Sequence, residues 1–373
     1  MKRPYYIFNA GRLRRKDNTL FFEPSFAPSD MPPHTMEASD ELSEEILLDT
    51  PAGEGNESGD EQTAPAFDAK NKRVVPIDDV DSFFIFGEMT FNTRFLNFLS
   101  QHSIPLHVFN YYGFYAGSYY PREYLHSGFL FVHQVEFYQR QSKRLHLAQK
   151  FVAGAAANML KNLRYYNNRD ADVQMQINAI ERYVPELATS TDIPTLMGLE
   201  GNIRQQYYGA FRAILKEQYD FEKRVKHPPD NAVNALISFG NALVYTACLT
   251  EIYRTQLSPL ISFLHEPGER RFSLALDLAE IFKPLLADRI LFKMLNQKML
   301  THNDFDKALN FCYLKPEGRK KFTREFEEKM TTTIEHRKLK RKVSYRRLIR
   351  LECYKLIKHL TGAEEYEPFT MWW

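Results

Sequence analysis

Cysteine is scarce in this chain. Cys248, Cys312 and Cys353 are the only three in 373 residues. They are far apart and odd in number, and they form no CxxC. A disulfide framework is thereby excluded, and a reducing compartment such as the cytoplasm is expected. No secretory signal is expected either, because the N-terminal MKRPYYIF is basic but has no apolar core behind it. The most apolar stretch, Ala235 to Leu249, is interrupted by Ser238, Gly240 and Asn241. It is too short to span a bilayer, so a buried helix is expected there and no membrane partner. No repeat of 20 to 50 residues recurs.

Net charge is nearly absent as well. Lys+Arg number 49 and Asp+Glu 47, so the sum is 49 − 47 = +2. With 44% hydrophobic and 26% charged residues, the whole chain looks like an ordinary globular protein. The average conceals a segment with no cation at all. Residues 24–69 carry twelve acids, Asp30 and Asp68 among the outermost, and neither Lys nor Arg. Without those twelve the remainder stands at 49 − 35 = +14. A basic body of that kind implies a polyanionic partner.

The length permits two or three domains. Tyr5–Asn9, Arg12–Arg15, Thr19–Glu23, Val74–Ile77, Ser82–Phe86 and Pro105–Asn110 read as strands, with a helix over Thr90–Gln101. Residues 24–69, rich in Pro and acids, bury too little to offset their ordering entropy and read as a disordered insertion between two strands. From about residue 120 the period turns helical. Helices are expected over Glu123–Asn168, Asp170–Ala188, Ile193–Lys226, Asp230–Thr255, Ser273–Gln297, Asn303–Cys312, Lys320–Thr332 and Ser344–Leu360. The expected class is α+β, a small N-terminal β domain (1–111) followed by a large all-helical domain (112–373).

Five constellations can carry chemistry. In Leu199-Glu200-Gly201-Asn202-Ile203-Arg204, a helix puts Glu200, Arg204, Tyr207 and Phe211 on one face. That is either a surface ion pair or a site, with Gly201 there for close approach of a ligand or a partner helix. His265 lies in a break, Phe263-Leu264-His265-Glu266-Pro267-Gly268, before a helix that Ser273 is placed to cap, and taken alone it reads as a surface residue more readily than as a ligand. Asp277 and Glu280 stand at i and i+3 in an apolar run whose residues leave little polar face, and acids on a buried helix want a cation. Pro284 cannot donate to the Glu280 carbonyl and is expected to kink the helix. Histidine with two or three carboxylates is a ligand set suited to Mg²⁺ or Mn²⁺, though spacing alone does not join Glu200 to Glu280. His336–His359 holds ten Lys and Arg against the single acid Glu352, a pattern for phosphate contact. Asp230, Asn234 and Ser238 stack along one helix face, either as hydrogen bonds orienting a neighbouring site or as ordinary capping by Asp230.

Taken in order, these motifs resemble the CRISPR-associated integrase family Cas1, its type I-B branch in particular. The resemblance runs through Tyr5-Tyr6-Ile7-Phe8-Asn9, Gly11 to Leu20, Phe86-Gly87-Glu88, Thr90-Phe91-Asn92 and Ile104 to Gly113. It continues through Gly117 to Glu123, Leu199 to Arg204, Pro228-Pro229-Asp230-Asn231, Phe263-Leu264-His265, Ser273 to Glu280 and Tyr345-Arg346. It covers nearly the whole chain outside residues 24–69. It implies a β domain followed by a helical domain, and a metal site of Glu200, His265 and Glu280 with Asp277 beside it. The ion would be Mg²⁺ or Mn²⁺. It further implies DNA contact by Lys283 and, on the basic helices, Arg346 and Arg347, with Arg204 as a further candidate. The implied activity joins protospacer 3′-hydroxyl ends to the leader–repeat phosphodiester, on double-stranded and branched DNA. The implied assembly is a homodimer working with the small partner Cas2.

Two other readings of the same residues remain: a metal nuclease acting on branched DNA in repair, and a non-catalytic DNA-binding scaffold. The acidic insertion likewise has two readings, a solubilising segment or an internal phosphate mimic over the basic body. Deletion of residues 26–68 separates them. The solubilising reading expects unchanged DNA affinity at low and high salt, and the mimic reading expects tighter binding at low salt, both read from titrations of a labelled duplex.

Overall fold

Alternating burial along the first strands shows why they pair: in the segment Gly11–Lys16 the residues Gly11 and Leu13 are buried while their neighbours face outward. The computed structural model describes residues 2–17, 19–25, 67–68, 71–121, 125, 127–215, 219, 221–226, 228–268, 272–307 and 312–372. The chain divides into two compact units, Met1–Glu123 and Tyr124–Trp373.

The first unit contains β1 (Arg3–Ile7), β2 (Gly11–Lys16), β3 (Thr19–Pro24), β4 (Arg73–Pro76), β5 (Val80–Ile85), β6 (Met89–Thr90), α1 (Thr93–Gln101), β7 (Leu106–Phe109) and β8 (Tyr115–Tyr119). Two four-stranded sheets result, in the orders β1-β5-β7-β8 and β4-β3-β2-β6. Asn92 caps α1 by accepting from the Phe95 N–H at 3.1 Å. The helix then buries Phe95, Phe98 and Leu99 in a core shared with Leu13, Leu20, Phe83 and Leu106. β8 pairs with β7 and so carries this unit beyond residue 111. Both β6 and β8 escape a reading by hydrophobic run, since Met89-Thr90 is two residues long and Tyr115–Tyr119 contains Gly117. The acidic insertion lies outside the described residues except at its ends. There Ser25 and Phe67 form an antiparallel bridge, and the Asp68 N–H donates to the Pro24 carbonyl at 2.8 Å. β3 and β4 are antiparallel, with Thr19 opposite Pro76 and Phe22 opposite Arg73. The insertion therefore sits in the connection of a β-hairpin.

The second unit holds α2 (Gly128–Gln139), α3 (Gln141–Asn167), α4 (Gln174–Thr189), α5 (Ile193–Gly209), α6 (Phe211–Ile214), α7 (Ala232–Tyr253), α8 (Ser273–Phe282) and α9 (Arg289–Asn296). It continues with β9 (Phe305–Lys307), β10 (Cys312–Leu314), α10 (Pro316–Thr331), β11 (Thr333–His336), β12 (Arg341–Ser344) and α11 (Tyr345–Leu360). This unit is not all helical, because β9–β10 and β11–β12 form two small antiparallel pairs. The expected helix over Asn303–Cys312 is instead a 3₁₀ turn, His302–Asp304, leading into β9. Asp304 accepts from the Thr301 N–H at 2.9 Å, and this local side-chain bond competes with helix. The helix expected to reach Lys226 ends at Ile214, and described residues 221–226 are non-helical.

α7 is the centre of the unit. At 22 residues with mean hydropathy 1.5 it is long enough to cross a membrane, so the length argument drawn from the sequence fails. Its burial, 89% of the apolar window, makes it a core helix. It packs on α8, on α11 and on the turn after α8. Asn158 of α3 ties three further pieces together. Its amide donates at 3.0 Å to the carbonyls of Ile281 and Phe369, and its oxygen accepts from the Met371 N–H at 2.8 Å. All three Cys are buried and free.

Gly240 lies mid-α7, where a Cβ would come within 2.9 Å of the Ala287 Cβ and 3.0 Å of a Phe322 ring carbon. Its absence lets α7 lie close against Ala287 and Phe322. Gly240→Val is expected to destabilise by about 1–3 kcal/mol through overpacking, read as a lower melting temperature in far-ultraviolet circular dichroism. An unchanged melt would refute the close-packing role.

Candidate metal centre

All ten residues of α8 are buried, including Asp277 and Glu280. Carboxylates in such a place require partners, and the structure supplies a different set to each. Asp277 faces the loop before the helix. Its Oδ2 accepts the Phe263 and Leu264 N–H groups at 2.6 and 3.0 Å. Its Oδ1 accepts the His265 N–H at 3.1 Å and lies 2.7 Å from His265 Nδ1. The carboxylate thus folds the loop around itself and engages one nitrogen of the imidazole. Ser262 Oγ adds a bond to the His265 carbonyl at 2.6 Å. From α3, Arg144 donates to the Phe263 carbonyl at 2.9 Å and to Glu266 at 2.7 Å. Ser273 does not cap α8; it is the first helical residue, and its Oγ donates to the Leu260 carbonyl at 3.0 Å.

Glu280, one turn on, has side-chain partners instead. Lys283 donates to its Oε1 at 2.6 Å, and Arg204 of α5 meets its Oε2. The same guanidinium meets Glu200, one turn earlier on α5. The i,i+4 pair is therefore neither an isolated surface pair nor a separate site, since one cation bridges two carboxylates from two helices. Side-chain exposure is 15% for Glu200, 21% for Arg204 and 5% for Glu280. A Cβ on Gly201 would meet nothing within 4 Å, which removes the partner-helix explanation and leaves open space beside the acid.

Pro284 has the effect its chemistry predicts. It begins a π-helical turn, Pro284–Asp288, in which the Asp288 N–H donates to the Lys283 carbonyl at 3.2 Å. Asn162 donates to the Pro284 carbonyl at 2.6 Å and to the Tyr207 hydroxyl at 3.0 Å. Tyr207 in turn donates to Asp288 at 3.0 Å. Arg224 is a site neighbour that no local pattern announces. It donates to Asn234 Oδ1 at 3.1 Å and to Ser238 Oγ at 2.9 Å, while Asn234 donates to Asp230 at 2.7 Å. The polar stripe on α7 therefore holds a buried guanidinium. The capping of α7 belongs to Asn231, not Asp230.

Among the described residues no three His, Cys, Asp or Glu side chains already form a metal-holding group. Glu200 and Glu280 are brought together, and His265 is joined to Asp277; Arg204 stands between the two carboxylates. The donor chemistry fits a hard divalent ion: two carboxylates share a cation in a half-buried place, while His265 is held by Asp277 through Nδ1.

The basic C-terminal stretch is less free than its local count suggests. Arg346 is bound by Glu327 at 2.7 Å, Arg350 by Glu251 at 2.5 Å, Lys355 by Glu352 at 2.7 Å, and Lys338 and Lys358 by Glu364. Arg347 lies over the Tyr354 ring at 5.8 Å. Among the described residues Lys340, Arg341, Lys342 and Arg347 pair with no carboxylate.

Burial pushes the Asp288 carboxyl up to about 7, against the opposing pull of Tyr207, Arg204, Lys283 and Arg224. Because the folded value lies above the ordinary 3.8, protonation of Asp288 favours the fold. That contribution is complete below about pH 4 and is lost as pH rises through about 7. Asp288→Asn is expected to keep its melting temperature across this range while the wild type declines. Parallel pH profiles would refute the assignment.

The family described as CRISPR associated protein Cas1 matches residues 60–328. A CRISPR-associated endonuclease Cas1 of Thermodesulfovibrio yellowstonii is 47% identical over 371 residues, with all of both chains covered. A solved Cas1 protein from Thermotoga maritima superposes with a TM-score of 0.78 at 34% identity, over 98% of this chain and 100% of that one. A casposase bound to integration product shares the fold, with a TM-score of 0.78 at 18% identity over 99% of this chain and 93% of the other. The family match over residues 60–328 and these full-length likenesses at 47% and 34% identity place the chain in the CRISPR-associated Cas1 endonuclease family.

Proposed function

We propose that this chain is the spacer-acquisition integrase of a CRISPR system, joining protospacer 3′-hydroxyl ends to the leader–repeat phosphodiester. The observation that carries the reading is the convergence of Glu200 and Glu280, from two helices, on a single cation. Glu200, Glu280 and His265 would hold Mg²⁺ or Mn²⁺. When bound, such an ion polarises the scissile phosphate and stabilises the leaving oxygen. Asp277 keeps the imidazole in one orientation, and its acceptor sites are already taken by three backbone N–H groups and His265. That makes it a positioning residue rather than a ligand. Arg204 neutralises the carboxylate pair when no dication does, and with Lys283 it supplies cations for a phosphate beside Glu280.

DNA outside the centre would be gripped through phosphates. Arg347 and the β11–β12 hairpin cations Lys340, Arg341 and Lys342 are the candidates with no carboxylate partner. Arg346, tied to Glu327, would act mainly by holding α11 in place. The same reading assigns a homodimer that works with Cas2, on double-stranded and branched DNA.

A branched-DNA disintegration assay in Mn²⁺ tests the centre. Glu200→Ala, His265→Ala and Glu280→Ala are each expected to abolish strand transfer with circular dichroism unchanged. Asp277→Asn is expected to lose about 10–100-fold through misorientation of His265. Full activity in any of the three alanine variants would overturn the ligand assignment. Cut but unjoined products would point to the repair nuclease, and metal-independent binding without cutting to the scaffold.

A further inference from the structure

A cavity of about 570 Å³ opens between the end of α3, α9 and α10, and none of its lining residues belongs to the carboxylate centre. Four cations line it, Arg169, Arg289, Lys293 and Lys329, against two acids, Glu325 and Glu328. Only one acid is spent on a cation by direct contact, Glu325 on Lys293 at 2.5 Å. The Arg289 guanidinium donates to the Met371 sulfur at 2.9 Å, a weak acceptor, engages the Tyr345 hydroxyl and lies 5.4 Å from the Tyr165 ring centroid. Lys329 lies 4.5 Å over the Tyr345 ring. Among the described residues no carboxylate pairs with Arg289 or Lys329.

Like charges gathered around a partly buried space repel one another and have lost part of their hydration. A cavity of this size, polar and net positive, suits an anion with several acceptor oxygens. We propose that it is a phosphate-binding subsite, in which Arg289 and Lys329 take a phosphate group of a DNA strand or of a free nucleotide.

The subsite has a pH signature. Burial, with Arg289 and Lys293 nearby, brings Lys329 down to about 8. Around it stand Arg289 and Lys293 from α9, Glu325 and Glu328 from α10, Arg169 and Tyr166 at the end of α3, and Tyr345 from α11. Tyr166, pushed up to about 12 by burial, stays neutral there. An anion favours the ammonium form, so binding takes up a proton and weakens as pH rises through about 8.

Calorimetric titration of the full chain with inorganic pyrophosphate, and separately with a duplex oligonucleotide, tests this at about pH 7 and about pH 9. Arg289→Gln and Lys329→Gln are each expected to lose about tenfold in pyrophosphate affinity, about 1.4 kcal/mol. Lys329→Arg is expected to bind equally at both pH values, since guanidinium keeps its proton. A parallel loss of duplex affinity assigns the phosphate to DNA; loss for pyrophosphate alone assigns it to a free ligand. Wild-type pyrophosphate affinity in both Gln variants, with native circular dichroism, would overturn the proposal. Glu280→Ala is expected to keep pyrophosphate binding, so failure of the subsite and failure of the carboxylate centre are read separately.

Discussion

The burial of two carboxylates on one helix governs the second unit. α8 has no solvated face, so Asp277 and Glu280 must each find compensation inside the protein. The two solutions differ. Asp277 is satisfied by backbone N–H groups and so shapes a loop, whereas Glu280 is satisfied by side-chain cations and so collects charge. One acid builds and the other binds. This division is what lets a single ten-residue helix both hold the histidine loop and gather cations around a second carboxylate.

The surrounding architecture serves that helix. α7 lies behind it, largely apolar, with Asn234 and Ser238 receiving Arg224 near its start and Glu251 pairing with Arg350 near its end. α5 brings Glu200 and Arg204 to the front. The π turn at Pro284 swings Asp288 into a buried network with Tyr207 and Asn162. A regular helix would have continued the hydrogen-bond ladder there. Proline forbids the rung to the Glu280 carbonyl, and because the Asp288 N–H goes to the Lys283 carbonyl, Asn162 takes up the carbonyl of Pro284.

Much of this was legible in the sequence where the signal is local. Acids at i and i+3 in an apolar run announced α8, proline announced its irregular turn, and the Glu200–Arg204 spacing announced a pair on one face. The switch from strand to helix period was also plain. What sequence could not provide was pairing across long separations. The basic run before His359 looked unbalanced because Glu251, Glu327 and Glu364 lie outside it or far from it in sequence. Arg224 falls at the end of the expected Ile193–Lys226 helix, but the structure leaves it outside any helix, and its role depends on α7 passing close by. Short hairpins such as β9–β10 were hidden because three-residue strands carry too few positions for alternation to register.

The bridge between Ser25 and Phe67 has a consequence for how the protein can change. Hairpin registry in β3–β4 is set by cross-strand partners on the near side of that bridge. Chain closure beyond it grows only logarithmically with length, about 0.6 kcal/mol for each doubling. Evolution can therefore lengthen, shorten or rewrite the segment between the two residues at little cost to the sheet. The same junction gives experimenters a place to graft a reporter domain, with its two ends already held side by side.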